Sequence, residues 1–267
     1  MFKQRLYTTL VLVPLVLLAI YLAYSWILVG VLLVIVLIGG WEWTQLIPLH
    51  DYTKKILFIA LLLPAIWLST LWLTYWLFAG IVIWGLILLA VITFPDSQKI
   101  WGFPIIVGGS CFLLLPLFAS ALAAIYQYPA GRDLMIYLLF LVWAADIGAY
   151  LTGKRMGKHK LIPEVSPGKT IEGVTGGFAL AMAVAAAGHW YFAPQCAVYW
   201  YILSGAVALI SILGDLFISI LKRRCKLKDT GHIFPGHGGV LDRLDSMIAA
   251  SPFFYSGLLL MPQGVVS

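Results

Sequence analysis

Charge is scarce in this chain. Only 10% of its 267 residues are Asp, Glu, Lys or Arg, against 62% hydrophobic residues and a mean hydropathy of +0.99. So few polar groups cannot cover a soluble domain, and an integral membrane protein is expected instead. Cysteine is also sparse. Cys111, Cys196 and Cys225 are odd in number, far apart and without CxxC or zinc-ligand spacing, so they read as small buried hydrophobes or bystanders. A nucleophile elbow GxSxG, an internal repeat, a low-complexity segment and a loop long enough to fold alone are all missing. The N-terminal run lacks a clean small-x-small cleavage site, and its length suggests a retained first span.

What the chain has is long apolar runs. They are continuous, without the ~10-residue alternation of barrel strands, so the expected fold is all-α: a polytopic membrane bundle. About nine spans are expected, at roughly 7–23, 26–47, 56–72, 75–94, 103–125, 133–153, 172–193, 198–221 and 245–262. Trp41, Trp43, Trp72, Tyr75, Tyr199 and Trp200 crowd the span ends and read as an interfacial belt. With the N-terminus in the cytosol, every Lys and Arg except Arg132 falls on the cytosolic side. The positive-inside rule favours that arrangement, with the C-terminus outside.

The charges that exist are concentrated late in the chain. Residues 1–130 read as an apolar transmembrane scaffold and 131–267 as a catalytic transmembrane domain with cytosolic loops 154–171 and 222–244. Asp146 and Asp215 lie inside expected spans, where a carboxylate is costly and by default functional, although a lone acid can also serve as packing glue. They stand eight residues from Lys154 and seven from Lys222, so both are ~10–12 Å from the cytosolic boundary. Ser219, four residues after Asp215, shares its helix face, though a serine there can bond its own backbone instead. His189 reads as an interfacial or packing residue.

The longest polar run, SILKRRCKLKDTGHIFPGHGGVLDRLD, spans Ser219 to Asp245. Its turn Pro235-Gly236-His237-Gly238-Gly239 offers successive backbone N–H groups to a phosphate ahead of a helix start. Lys222, Arg223, Lys228 and Arg243 add the charge to hold a polyphosphate, and Asp215 and Asp242 can hold Mg²⁺. Asp242 and Asp245 also suit a helix N-terminus on dipole grounds alone, and the cations suit anionic lipid heads. In the other loop, Ser166-Pro167-Gly168-Lys169-Thr170 superficially resembles a Walker A ending. Pro163 stands where the P-loop needs glycine, so the P-loop is rejected. Thr170 reads as a helix cap with Glu172 in the first turn, and Lys169 can still reach a phosphate.

These runs resemble a known family. The pattern S-x-x-K-R-x₄-K-D-x-G-x-x-F-P-G-H-G-G-x-x-D-R-x-D from Ser219, D-x-G-A-Y from Asp146, S-P-G-K-T-x-E-G from Ser166 and the Gly-Asp at Gly214 look like the phosphatidate cytidylyltransferases, or CDP-diacylglycerol synthases. The likeness covers roughly residues 140–262; the N-terminal third is similar only in being apolar. One departure is Lys226, where family members commonly carry glycine; no loss of activity is expected from it.

The resemblance implies that CTP and phosphatidic acid give CDP-diacylglycerol and pyrophosphate, with Mg²⁺. The implied catalytic residues are Asp215, Asp242, Lys222 and Arg243, and the implied metal ligands are Asp146, Asp215, Asp242 and Asp245. Substrate contacts are implied for Ser166, Lys169, Thr170, Ser219, Arg223, Lys228, Asp229, His237, Gly238 and Gly239. Membrane lipids are expected partners and nucleic acid is not; a homodimer stays open. A bacterial inner membrane is expected, with the site facing the cytosol. A transporter with ion sites on broken helices would need related halves and midplane acids, and neither is visible. A CDP-alcohol phosphotransferase would need D-G-x-x-A-R, which is absent. A prenyltransferase would show aspartate-rich motifs on two loops, and a lipid scaffold leaves the clustered acids unexplained.

Overall fold

The computed structural model describes residues 13–47, 49–233 and 238–261. Helices dominate, because a backbone in hydrocarbon has to pair its own polar groups. They are α1 (Val13–Leu22), α2 (Ser25–Trp43), α3 (Tyr52–Leu71), α4 (Leu73–Ile92), the short α5 (Gln98–Trp101), α6 (Pro104–Gln127), α7 (Gly131–Met156), α8 (Ile171–Phe192), α9 (Ala197–Arg224) and α10 (Leu241–Leu260). Among the described residues seven of these, α2 to α4 and α6 to α9, are long and apolar enough to cross a membrane. The first expected span lies partly outside the described residues. The last corresponds to α10, which is not among these seven; it begins four residues before the expected 245 and so takes Asp242 into its first turn.

The chain packs as two compact units. One takes residues up to Ala123 together with Ile220–Asp245; the other takes Ala124–Ser219 and the residues from Ser246. The second charged loop therefore belongs with the N-terminal helices.

In the first unit, close helix approach depends on small residues. A side chain at Gly40 of α2 would overlap Leu62 of α3, and one at Gly80 of α4 would overlap Leu117 of α6. Polar groups tie the same helices: Ser69 Oγ lies 2.6 Å from Ser120 Oγ, and Trp43 Nε1 donates to the Val107 carbonyl at 2.9 Å. The outer surface is apolar, with Trp67, Phe78 and Leu86 all exposed. Only 11% of the apolar window of α3 is buried, and a surface of that kind requires lipid, not water.

The second unit is built on α7 and α8 packed backbone to backbone. A Cβ on Gly148 would come within 2.7 Å of the Gly176 carbonyl and 2.9 Å of Gly177 Cα. Near the other end, Tyr137, Phe192, Trp200 and Phe254 form an aromatic core. Tyr137 Oη lies 2.6 Å from Ser204 Oγ, and Trp200 Nε1 donates to the Ala185 carbonyl at 2.9 Å. Trp43 and Trp200 are therefore core residues, not members of an interfacial belt. Each indole N–H has found a carbonyl inside the bundle, which removes the reason for it to stay at the water. Trp72 and Tyr75 are exposed, as a belt requires. His189 stacks on Tyr201, a packing role.

The loop expected at 154–171 is more ordered than a loop. It forms an antiparallel hairpin, β1 (Lys160–Ile162) and β2 (Ser166–Thr170), pairing Lys160 with Thr170 and Ile162 with Ser166. Cys111 is buried, as expected of a small hydrophobe, while Cys196 and Cys225 are half-buried.

Candidate active site

The hairpin is fastened to the start of α8. Thr170 Oγ1 accepts from the Gly173 amide at 3.0 Å, the cap that its sequence position suggests. Glu172 accepts from the amides of Lys158 (3.1 Å) and His159 (3.2 Å), and its Oε1 lies 2.6 Å from His159 Nδ1. The Ile171 amide closes the ring on the His159 carbonyl at 2.9 Å. These bonds fix β2, which carries Lys169.

Lys169 Nζ stands 2.8 Å from Asp215 Oδ2 on α9, and the other oxygen of Asp215 accepts from Ser219 Oγ at 3.2 Å. The i, i+4 spacing of Asp215 and Ser219 thus places them together as expected. Lys169 and Asp215 are both half-buried. The ammonium makes no hydrogen bond of good geometry, so the pair rests on charge alone. Asp146 lies on the exposed side of α7, beside the exposed Ile147.

A second charge pair belongs to the other unit. Lys222, in the last turn of α9, places Nζ 2.7 Å from Oδ1 of Asp242 in the first turn of α10. Oδ2 of Asp242 accepts from the amides of Thr230 (2.8 Å) and Gly239 (2.9 Å). Burial alone would push this carboxyl up. The Lys222 ammonium and the two amides outweigh that effect and hold it below the ordinary carboxylate range. Asp245 is buried one turn further on, while Arg223, Lys228, Asp229 and Arg243 are exposed.

The segment between α9 and α10 starts with a tight helix ending. Lys226 has a left-handed φ of 56°. Its amide donates to the Arg223 carbonyl at 3.0 Å, and the Leu227 amide donates to the Lys222 carbonyl at 2.9 Å. This is a Schellman ending, whose left-handed position favours glycine. The lysine that departs from the family pattern therefore does sit in a tight turn, and the turn forms. Arg224 then donates to the carbonyls of Gly102 and, at 3.1 Å, Leu46.

The other end of the segment, where the expected Pro235–Gly239 turn falls, is described only in part. Phe234, Pro235, Gly236 and His237 lie outside the described residues. Gly239 N–H is given to Asp242, while Val240 and Leu241 donate to Glu42 at 3.0 and 2.7 Å. The anion at the start of α10 is a buried side chain from α2. Glu42 is the residue that the reading of the sequence missed. The signal was present, since Glu42 is an acid within an apolar span, the criterion that singled out Asp146 and Asp215.

Mg²⁺ needs hard oxygen ligands, commonly one or two carboxylates completed by phosphate and water. Among the described residues no three His, Cys, Asp or Glu side chains form a group that could hold a metal unaided. Asp215 and Asp242 each carry an ammonium on one oxygen, so each already occupies a position that favours a cation. Taken one at a time, each carboxylate has the donor chemistry for a metal whose remaining ligands are substrate phosphate and water.

A membrane-spanning helical protein carrying two lysine–aspartate pairs is the class defined so far. The sequence pattern of the "Cytidylyltransferase family" matches residues 3–261, and the chain belongs to that family. It is 38% identical over 263 residues to the phosphatidate cytidylyltransferase of Pseudomonas aeruginosa, covering 95% of this chain and 96% of that one. It is 37% identical to the Haemophilus influenzae phosphatidate cytidylyltransferase, covering 95% and 97%. The Bacillus subtilis phosphatidate cytidylyltransferase is 41% identical over 126 residues, 47% of each chain.

Proposed function

We infer that this chain transfers the cytidylyl group of CTP to phosphatidate, yielding CDP-diacylglycerol and pyrophosphate. The observation that carries this reading is the near full-length similarity to two phosphatidate cytidylyltransferases. In the reaction the lipid phosphate attacks the α-phosphorus of the nucleotide, and the bond to the β-phosphate breaks. The phosphomonoester is already ionised near neutrality, its second pKa being ~6, so no strong general base is assigned.

Both reactants are anionic, so the protein's task is to neutralise repulsion and align attacker with leaving group. Lys222, Arg223, Lys228 and Arg243 stabilise the leaving pyrophosphate. Ser166, Lys169, Thr170 and Ser219 of one unit contact nucleotide or lipid phosphate, and Asp229, His237, Gly238 and Gly239 are substrate contacts proposed from the family pattern. Asp215 in one unit and Asp242 in the other would each offer a carboxylate to Mg²⁺, which would supply charge neutralisation to substrate phosphate. Asp146 and Asp245 are the further carboxylates proposed for this role, although among the described residues no three of these side chains form one group. The two lysine–aspartate pairs support this reading, because an ammonium released from a carboxylate is available to a phosphate.

The polar helix ends face the cytosol of a bacterial inner membrane, a placement supported by the distribution of Lys and Arg. CTP enters from that side while the lipid chains stay in the bilayer. Incubation of the purified chain with labelled CTP, phosphatidate and Mg²⁺ tests the reading. Label should enter lipid with CTP and not when UTP or dATP replaces it; an unlabelled lipid fraction with CTP would overturn it.

A further inference from the structure

Glu42 is 2% exposed, although it lies in α2, one of the most apolar helices of the chain. A carboxylate at that depth needs several donors, and it has them. Oε1 accepts from the Val240 amide at 3.0 Å. Oε2 accepts from the Leu241 amide at 2.7 Å and from Thr230 Oγ1 at 3.1 Å. All these residues belong to the same compact unit.

The surrounding sequence is shaped to admit this side chain. A Cβ on Gly231 or on Gly239 would overlap the Glu42 carboxylate. Two glycines of the charged signature are therefore required by an acid about 190 positions away in sequence, a steric reason separate from phosphate binding. Thr230 links the two buried carboxylates of this turn. Its hydroxyl goes to Glu42 and its amide to Asp242. The Gly239-Val240-Leu241 run is shared in the same way, the first amide going to Asp242 and the next two to Glu42.

We propose that Glu42 is a positioning residue for the cytidylyl transfer reaction. It clamps Thr230 and the first turn of α10, and through that shared turn it sets the orientation of Asp242 and its partner Lys222. The proposal rests on the functional reading above for its kinetic readout, but the clamp also has a readout of its own. Gln at this position keeps the shape and loses one acceptor. Its oxygen serves Val240 and its NH₂ can serve the Thr230 hydroxyl, but the NH₂ then faces the Leu241 N–H. A residue that only supports folding would lower the yield of folded protein and leave the turnover of each folded molecule intact.

The test uses the full chain in lipid nanodiscs, comparing wild type with Glu42→Gln and Thr230→Val. Turnover is measured per folded, monodisperse protein, together with KM for phosphatidate and hydrogen exchange across residues 226–245. For Glu42→Gln the expected result is a kcat lower by roughly ten- to a hundredfold, the range for a small misplacement, with KM for phosphatidate unchanged. Exchange at 239–242 should become faster at the same time. Thr230→Val keeps Glu42, removes only the bridging hydroxyl, and should lower kcat by a smaller factor with the same local exchange change. Wild-type kcat in Glu42→Gln, or a lowered kcat with unchanged exchange, overturns the proposal. If Glu42→Gln does not fold, Thr230→Val decides, and wild-type kcat with unchanged exchange overturns it. A wild-type chain without cytidylyl transfer refutes the functional reading instead, and the exchange result alone then judges the clamp.

Discussion

Lys222 Nζ stands 2.7 Å from Asp242 Oδ1, with 12% and 2% of the two side chains exposed. Lys169 and Asp215 are almost as close, at 2.8 Å, but 23% and 32% exposed. The two pairs share their chemistry and differ in solvation, so they should respond differently to the loss of a partner. Removing one member of a buried pair strands a charge, at a cost of about 3–5 kcal/mol. A fully exposed pair is worth about 1 kcal/mol or less, and the half-buried Lys169–Asp215 pair falls between these limits. Lys222→Met should therefore lower stability by more than Lys169→Met does in denaturant titration. Equal destabilisation would show that the burial difference has no consequence.

Asp242 and Asp215 themselves should be needed for turnover. Asp242→Asn and Asp215→Asn are each expected to give a folded, membrane-inserted protein with activity lower by several orders of magnitude. The check is initial rate per folded protein. Near-normal turnover in either variant would remove that residue from the reacting centre.

The depressed pKa of Asp242 has a signed consequence. The unfolded chain takes up this proton at a higher pH than the folded chain does. The contribution of the carboxylate is therefore fully present above the ordinary carboxyl range and is lost as pH falls through the depressed folded value. Wild type should lose stability on the acid side of that range, and Asp242→Asn should show a shallower acid limb. Parallel limbs in the two proteins would contradict the assignment.

Lys226 occupies a left-handed position at the end of α9. A non-glycine residue there costs roughly 1–2 kcal/mol, part of which glycine returns as greater freedom of the unfolded chain. Lys226→Gly should stabilise the protein by about 0.5–1 kcal/mol without changing kcat. A thermal or denaturant midpoint that falls would show that the lysine side chain contributes more than its backbone strain costs.

The helices were legible because hydrocarbon leaves the backbone one economical solution, and the apolar runs of α2 to α9 mark it directly. The pairing of Asp215 with Ser219 followed from helical spacing, and the Thr170 cap from its position before an apolar run. The hairpin was not legible. Ser166–Thr170 has no alternating pattern, and its order comes from bonds to Glu172 and α8. Trp43 and Trp200 were misplaced because a sequence shows that an indole is near a span end but not which carbonyl it will reach. Glu42 is marked in the sequence as an acid in an apolar span, but its partners are not, because they lie 198 and 199 residues downstream. Gly239 beside it belongs to the expected phosphate-binding turn, and close approach to either anion demands the same residue.

The most direct test follows the two ends of the nucleotide. CTP labelled at the α-phosphorus should transfer its label to a chloroform-soluble product when phosphatidate and Mg²⁺ are present. CTP labelled at the γ-phosphorus should leave all its label in water as pyrophosphate. Release of γ-label as inorganic phosphate, with no α-label in lipid, would contradict cytidylyl transfer.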